Sequence, residues 1–192
     1  MVMSEDVPEH IPTPAEDAAL ELSRLDERTL QDDVVEPLLR SLGYENVRST
    51  AGPTEHGRDL VATKRDEWGK TKLIAIQIKK AKISAKAGDT TSYGLLLNQL
   101  LQSVQEPAWD PTTNTMRPPD ECIFITPFPI PGRAREAFLG RSQQIGLRHI
   151  TVVDGVMLVE LAQQRLPGIL AKLDMEVRVV PARQRSSVAS RN

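Results

Sequence analysis

Leu73-Ile74-Ala75-Ile76-Gln77-Ile78-Lys79 is the stretch on which the fold turns. Successive side chains of a strand point to opposite faces, so Ile74, Ile76 and Ile78 share one face and Ala75, Gln77 and Lys79 the other. The isoleucine face reads as core. Upstream, Asp59 to Thr63 reads as a second strand, joined to the first by the polar link Lys64 to Lys72, which contains Trp68-Gly69-Lys70. The two strands are therefore expected to pair as a hairpin with a long loop. Further back, Asn46 to Ser49 reads as a short edge strand and Gly52-Pro53 as a turn. Leu30, Val34, Val35, Leu38, Leu39 and Leu42 recur at helical spacing, Gly43 supplies the stop, and Pro37 should kink the helix or remove one of its bonds. A shorter helix is expected from Pro14 through Leu25.

Downstream of Lys79, residues 80 to 91 are polar and irregular, and Ser92 suits the cap of a helix over Leu95 to Val104. The four prolines among residues 107 to 119 predict a loop. A buried strand is expected over Glu121 to Thr126, a helix over Arg133 to Gln144, a last strand over Ile150 to Val153, an Asp154-Gly155 turn and a helix over Val156 to Gln164. This order describes an α/β fold, a mixed sheet with helices on both faces.

At 192 residues, with 40% apolar and 4% aromatic side chains, the chain can bury one core, and that core must be aliphatic. No apolar run approaches the ~20 residues of a membrane span, so no membrane partner is expected. The acidic N-terminus lacks the regions of a secretory signal. Cys122 is the sole cysteine, which excludes an internal disulfide and a cysteine zinc cluster and suits a reducing, cytoplasmic setting. It reads as a small buried hydrophobe. Residues 1 to 15 and 181 to 192 read as an acidic and a basic disordered tail around a domain spanning 16 to 180.

The net charge of −2 conceals an asymmetry. Residues 1 to 33 hold ten acidic and two basic side chains, whereas Arg58 to Lys86 holds nine basic and three acidic. Such a basic segment attracts phosphate backbones, though a solvated Lys/Arg face reads equally well. A carboxylate at Asp59, an amide at Gln77 and an ammonium at Lys79 on adjacent strands fit divalent-metal chemistry on a phosphodiester. A surface lysine beside a polar glutamine fits the alternation as well.

Gly57-Arg58-Asp59-Leu60-Val61-Ala62 followed by Ile76-Gln77-Ile78-Lys79-Lys80 resembles the PD-(D/E)xK nuclease superfamily, and more narrowly the Mrr-like restriction endonucleases, in which glutamine often replaces the usual acidic ligand. Val34 to Tyr44 is similar to that family's opening helix, Ile123 to Thr126 to its third core strand, and Ile150 to Leu161 to its closing strand, turn and helix. The likeness spans roughly residues 30 to 165 and implies a restriction-endonuclease-like three-layer fold.

By this resemblance Asp59 is the principal metal ligand, Gln77 the second and Lys79 the catalytic lysine, with the Ile78 carbonyl completing the shell around Mg²⁺ or Mn²⁺. The family's helix acid falls at Asp32, counted back from Gly43, with Asp33 and Glu36 as competitors. All three also suit a helix N-terminus favoured by its dipole. Glu55, His56, Arg58, Lys80, Lys82 and Gln99 are candidate supporting or substrate contacts. Arg58 stands where the family has an apolar residue, which suggests an edge meeting solvent or phosphate.

The resemblance implies a metal-dependent endodeoxyribonuclease acting on DNA in bacterial restriction or anti-phage defence. A homodimer, and an NTPase or DNA-recognition partner of which this would be the effector, are further expectations. The alternatives are a catalytically silent nuclease-fold module for nucleic-acid binding or assembly, and a branched-DNA resolvase.

Overall fold

The computed structural model describes residues 12–50, 58–83 and 90–172, with side chains from 90–93 and 170–172 left aside. The expected tails at 1–11 and 181–192, the Gly52-Pro53 turn, Glu55 and His56 all lie outside the described residues. Pro14 opens helix α1 (Pro14–Leu22) as its place in the sequence predicts, and Thr13, within the expected acidic tail, caps it. Thr13 and Glu16 form a reciprocal capping box there.

The five-stranded sheet runs β1 (Glu45–Ser49), β2 (Leu60–Arg65), β3 (Thr71–Ile78), β6 (Glu121–Ile125) and β7 (Ile150–Val153) in spatial order. The first two neighbouring pairs are antiparallel and the last two parallel. β3 is thus the central strand and the hinge between the two pairing modes, as its unbroken apolar run suggests. Leu60, Ala62, Ile74, Ile76, Ile78, Ile123 and Ile125 pack against helices on one face. Those helices are α1, α3 (Glu36–Ser41) and α6 (Gly155–Arg165). Cys122, Phe124 and Val152 pack on the other face against α4 (Thr90–Gln105) and α5 (Gly132–Gln144). The result is the expected three-layer α/β architecture, with α7 (Pro167–Lys172) following α6. Among the described residues no helix is long and apolar enough to cross a membrane.

The opening helix departs from a plain amphipathic rod. Its first turn, α2 (Glu27–Thr29), passes into a π-helical segment, Leu30–Val35, and only then into α3. Pro37 sits in the first turn of α3, where its missing N–H costs little. The Glu36 N–H bonds the Gln31 carbonyl, five residues back, so the ladder widens just before the proline. The irregularity expected from Pro37 is therefore a π turn. At the other end Gly43, at φ 81°, closes α3 and returns the chain to β1.

Three expectations need correction. The β2–β3 loop is short, because pairing continues to Arg65↔Thr71 and the Asp66 carboxylate accepts the Trp68 and Lys70 N–H groups. The proline-rich segment is not simply loop. It contains a hairpin, β4 (Ala108–Asp110) with β5 (Thr115–Arg117), whose prolines lie outside the paired residues. Helix α4 begins at Thr90, so Ser92 lies inside it rather than capping it.

Candidate active site

β2 begins one residue later than expected, and that shift shapes the site. Leu60 is the partner of Ile76, yet Asp59 also gives its N–H to the Ile76 carbonyl at 2.9 Å. Asp59 thus stands just beyond the paired residues of β2, and its carboxylate accepts the Ile78 N–H at 2.6 Å through Oδ2. Asp59 is thereby fastened to β3 between Gln77 and Lys79. Thr50 closes the other side, giving its N–H to the Asp59 carbonyl at 3.0 Å and its hydroxyl to the Arg58 carbonyl at 2.7 Å.

Gln77 is 2% exposed, and its Oε1 has no hydrogen-bond partner among the described residues. An unsatisfied buried acceptor costs about 1–3 kcal/mol, and native interiors contain few of them. Lys79 follows the last residue of β3, and its backbone N–H bonds the Ile125 carbonyl at 3.0 Å. Its ammonium lies 3.5 Å from a carboxylate oxygen of Glu27, the first residue of α2.

Glu27 is the residue that sequence reasoning missed. Asp32 instead meets Arg28 at 3.4 Å and the Gln31 amide at 3.3 Å. Asp33 is exposed, and Glu36 pairs with Arg40 at 3.3 Å. Counting back from Gly43 presumes an unbroken helix, and the π segment invalidates that count. The available signal was Asp26, which caps α2 by accepting the Thr29 N–H and hydroxyl and so fixes Glu27 on the first turn. Those bonds, the Thr29 hydroxyl foremost, hold the Asp26 carboxyl below its ordinary range.

Arg58 does not meet solvent. It is 4% exposed and donates to the carbonyls of Ser103 at 3.2 Å, Glu106 at 2.8 Å and Pro107 at 2.8 Å. These groups end α4, where carbonyls lack helical partners and the dipole is negative. Burial lowers the Arg58 pKa, partly opposed by the nearby Glu106 charge. The residue before Asp59 is therefore an internal tie between β2 and α4.

The basic segment is also divided. Lys64, Arg65, Lys70 and Lys72 cluster at the hairpin turn, five residues and about 16 Å along β2 from Asp59. There Lys64 lies over the Tyr44 ring at 4.3 Å and Lys72 pairs with Glu121 at 2.5 Å. Lys79, Lys80 and Lys82 remain at the Asp59 end, Lys80 and Lys82 both exposed and Lys82 5.3 Å from the centre of the Phe128 ring. Among the described residues the basic segment is thus split between the two ends of β2 and β3. Gln99 is half-buried on α4. Cys122 is fully buried, which pushes its thiol up to about 12 and excludes it as a nucleophile.

A family model described as a restriction endonuclease, the Mrr catalytic domain, matches residues 22–92. That span covers the opening helix, β1 to β3 and the start of α4, and includes Glu27, Asp59, Gln77 and Lys79. The restriction-endonuclease-like resemblance and the three-layer fold therefore agree. No curated protein and no solved structure matches the chain.

Proposed function

We propose that this protein is a Mg²⁺-dependent endodeoxyribonuclease that hydrolyses DNA phosphodiester bonds at Asp59, Gln77 and Lys79. The observation that carries this reading is the unsatisfied, buried Oε1 of Gln77, beside the point where Asp59 is fastened to Ile78. A protein bears such an acceptor at a cost, and a hard cation would repay it with a bond to oxygen. The donor set fits Mg²⁺ or Mn²⁺: the Asp59 carboxylate, the Gln77 carbonyl oxygen and the Ile78 main-chain carbonyl are all oxygens. It is a weakly charged set, since among the described residues no three His, Cys, Asp or Glu side chains cluster as a metal site.

When bound, the cation would polarise the phosphodiester and acidify a water. The chain's own residues do the rest. Asp59, with one carboxylate oxygen held by the Ile78 N–H, keeps a fixed direction without needing to reorganise. Lys79 places a cation where negative charge develops on the phosphoryl oxygens. Glu27 holds that ammonium until an anionic substrate competes for it, which makes Glu27 a positioning residue and a candidate outer ligand.

The test is plasmid cleavage with Mg²⁺ or Mn²⁺, comparing wild type with Asp59→Ala and Lys79→Ala, beside thermal unfolding with and without metal. Metal-dependent nicking lost in both variants, with a metal-induced rise in melting temperature lost in Asp59→Ala, is the expected result. DNA binding without cutting on linear or four-way-junction substrates would instead favour the silent nuclease-fold module, which the neutral Gln77 already makes the second reading. Preferential cutting of the junction would identify a resolvase. A role in anti-phage defence, a homodimer that cuts both strands, and an NTPase or DNA-recognition partner extend the same proposal.

A further inference from the structure

The cleft between the β4–β5 hairpin and the edge of the sheet has features that the catalytic reading does not use. It encloses about 400 Å³ and is lined by Arg48, Thr50, Arg58, Val61, Trp109 and Met116, among others. Arg48 and Val61 are register partners and so share one face of the sheet, forming the floor. The wall is the hairpin, on which Trp109 and Met116 stand directly opposite each other, 41% and 61% exposed. An aromatic ring and a thioether left in water as a cross-strand pair offer a flat apolar face.

The charge is one-sided. Two guanidinium groups line the cleft, and no carboxylate does so among the described residues. The hairpin's own acid, Asp110, spends its carboxylate on Arg117 at 2.7 Å and the Thr112 N–H at 2.8 Å. Arg48 uses one of its five donors on the Trp109 carbonyl, which fixes the wall to the floor. Arg58 is 96% buried, and its Nε–H, shielded from water, has no hydrogen-bond partner among the described residues.

We propose that this cleft binds an unpaired nucleotide of the substrate strand, its base stacked on Trp109 and Met116 and its phosphate facing Arg48. A flat apolar surface beside two cations, with no anion among the described residues, matches a base joined to a phosphate. An unpaired base reaches an aromatic ring at least cost, because a paired one must first be flipped out of its own stack. The position follows from the chain: Arg58 immediately precedes Asp59, so the nucleotide held here neighbours the one at the cleavage site. That placement rests on the nuclease reading; the binding itself does not. The substrate class is therefore DNA with a single-stranded portion at or beside the cut.

The protein has two tryptophans, so Trp68→Phe leaves Trp109 as sole reporter without disturbing the cleft. In EDTA, titration of this variant with a short single-stranded oligodeoxynucleotide should quench its emission, and the blunt duplex of equal length should quench it far less. A labelled single strand should bind Trp109→Ala about tenfold or more weakly than wild type. Absence of quenching, with equal affinity in Trp109→Ala, overturns the cleft's role even if Asp59-dependent cleavage is found. Quenching and weakened binding without any metal-dependent cleavage would uphold the cleft and remove the nuclease reading. Equal quenching by the blunt duplex would overturn the single-strand specificity.

Discussion

Replacing Arg58 by methionine keeps the aliphatic bulk but deletes a buried cation and three hydrogen bonds, to Ser103, Glu106 and Pro107. Bonds from a charged donor contribute about 1.5–3 kcal/mol each, so three would total roughly 4–9 kcal/mol if nothing opposed them. Two terms do. The guanidinium was desolvated on folding, the same burial that lowers its pKa, and Arg58→Met removes that penalty. The Glu106 and Pro107 carbonyls are near enough to the surface to regain water. A net loss of about 3–5 kcal/mol remains, a large share of the roughly 5–15 kcal/mol of a typical domain. With an m-value near 2 kcal/mol/M, the urea midpoint should fall by about 2 M. Arg58→Lys, able to reach only some of the three carbonyls, should lose about half as much. The assay is urea unfolding followed by far-UV circular dichroism. A midpoint within about 0.3 M of wild type for Arg58→Met would refute the reasoning. If that stable variant also lost DNA affinity, Arg58 would be a phosphate contact, as the sequence suggested.

Gly155→Ala should destabilise by about 2–4 kcal/mol, since a Cβ there would lie 2.1 Å from the Pro127 carbonyl oxygen and 2.8 Å from the Ala19 Cβ, and backbone cannot yield as a side chain does; thermal melting would read the loss. Cys122 should resist a thiol-specific disulfide reagent at pH 8 until denaturant is added, because its thiol is fully buried and titrates near 12; rapid native labelling would contradict that burial. The Asp110 carboxyl, raised by burial but pulled down more strongly by Arg117 and Thr112, ends below its ordinary 3.8. Its stabilisation is therefore present above 3.8 and lost as pH falls through the lowered value, so Asp110→Asn should flatten the acid limb of a melting-temperature profile. Gln77→Glu would put a carboxylate at a site 2% exposed, so the metal-free protein should melt lower while Mg²⁺ or Mn²⁺ raises its melting temperature more than that of wild type; equal metal responses would argue against a ligand at that position.

What the sequence revealed was governed by local periodicity. The alternation in Leu73 to Lys79 has one strand reading, and Ile74, Ile76 and Ile78 do share one core cluster, although Leu73, Ala75 and Gln77 on the opposite face are buried as well. Gly43 and the Asp154-Gly155 pair mark element ends because few residues tolerate φ near 80° or so close an approach of backbone. The β4–β5 hairpin was hidden because each strand has three residues and the surrounding prolines dominate the composition. Its stability comes from Asp110 with Arg117, a pairing across the turn that no period announces.

The candidate site divides along the same line, and the division says which of its residues depend on tertiary structure. Strand alternation put Gln77 and Lys79 on one face, and the family resemblance gave them their expected roles. Asp59 was found by its motif, but its actual direction comes from its place just beyond the paired residues of β2, where its carboxylate accepts the Ile78 N–H. Arg58 and Glu27 are further removed. A cation beside a candidate catalytic aspartate reads naturally as a phosphate contact, and only the end of α4, some 45 residues on, turns it into a structural tie. An acid seven residues before the π segment's Val34 cannot be phased by counting 3.6 residues per turn, since that segment bonds at five. Residues that act through the strand they occupy were legible, whereas those acting through another element's terminus were not. Glu27 belongs to the second class, so its contribution should be read in the Lys79 environment: Glu27→Gln should free the ammonium and alter the salt dependence of DNA binding before it alters folding.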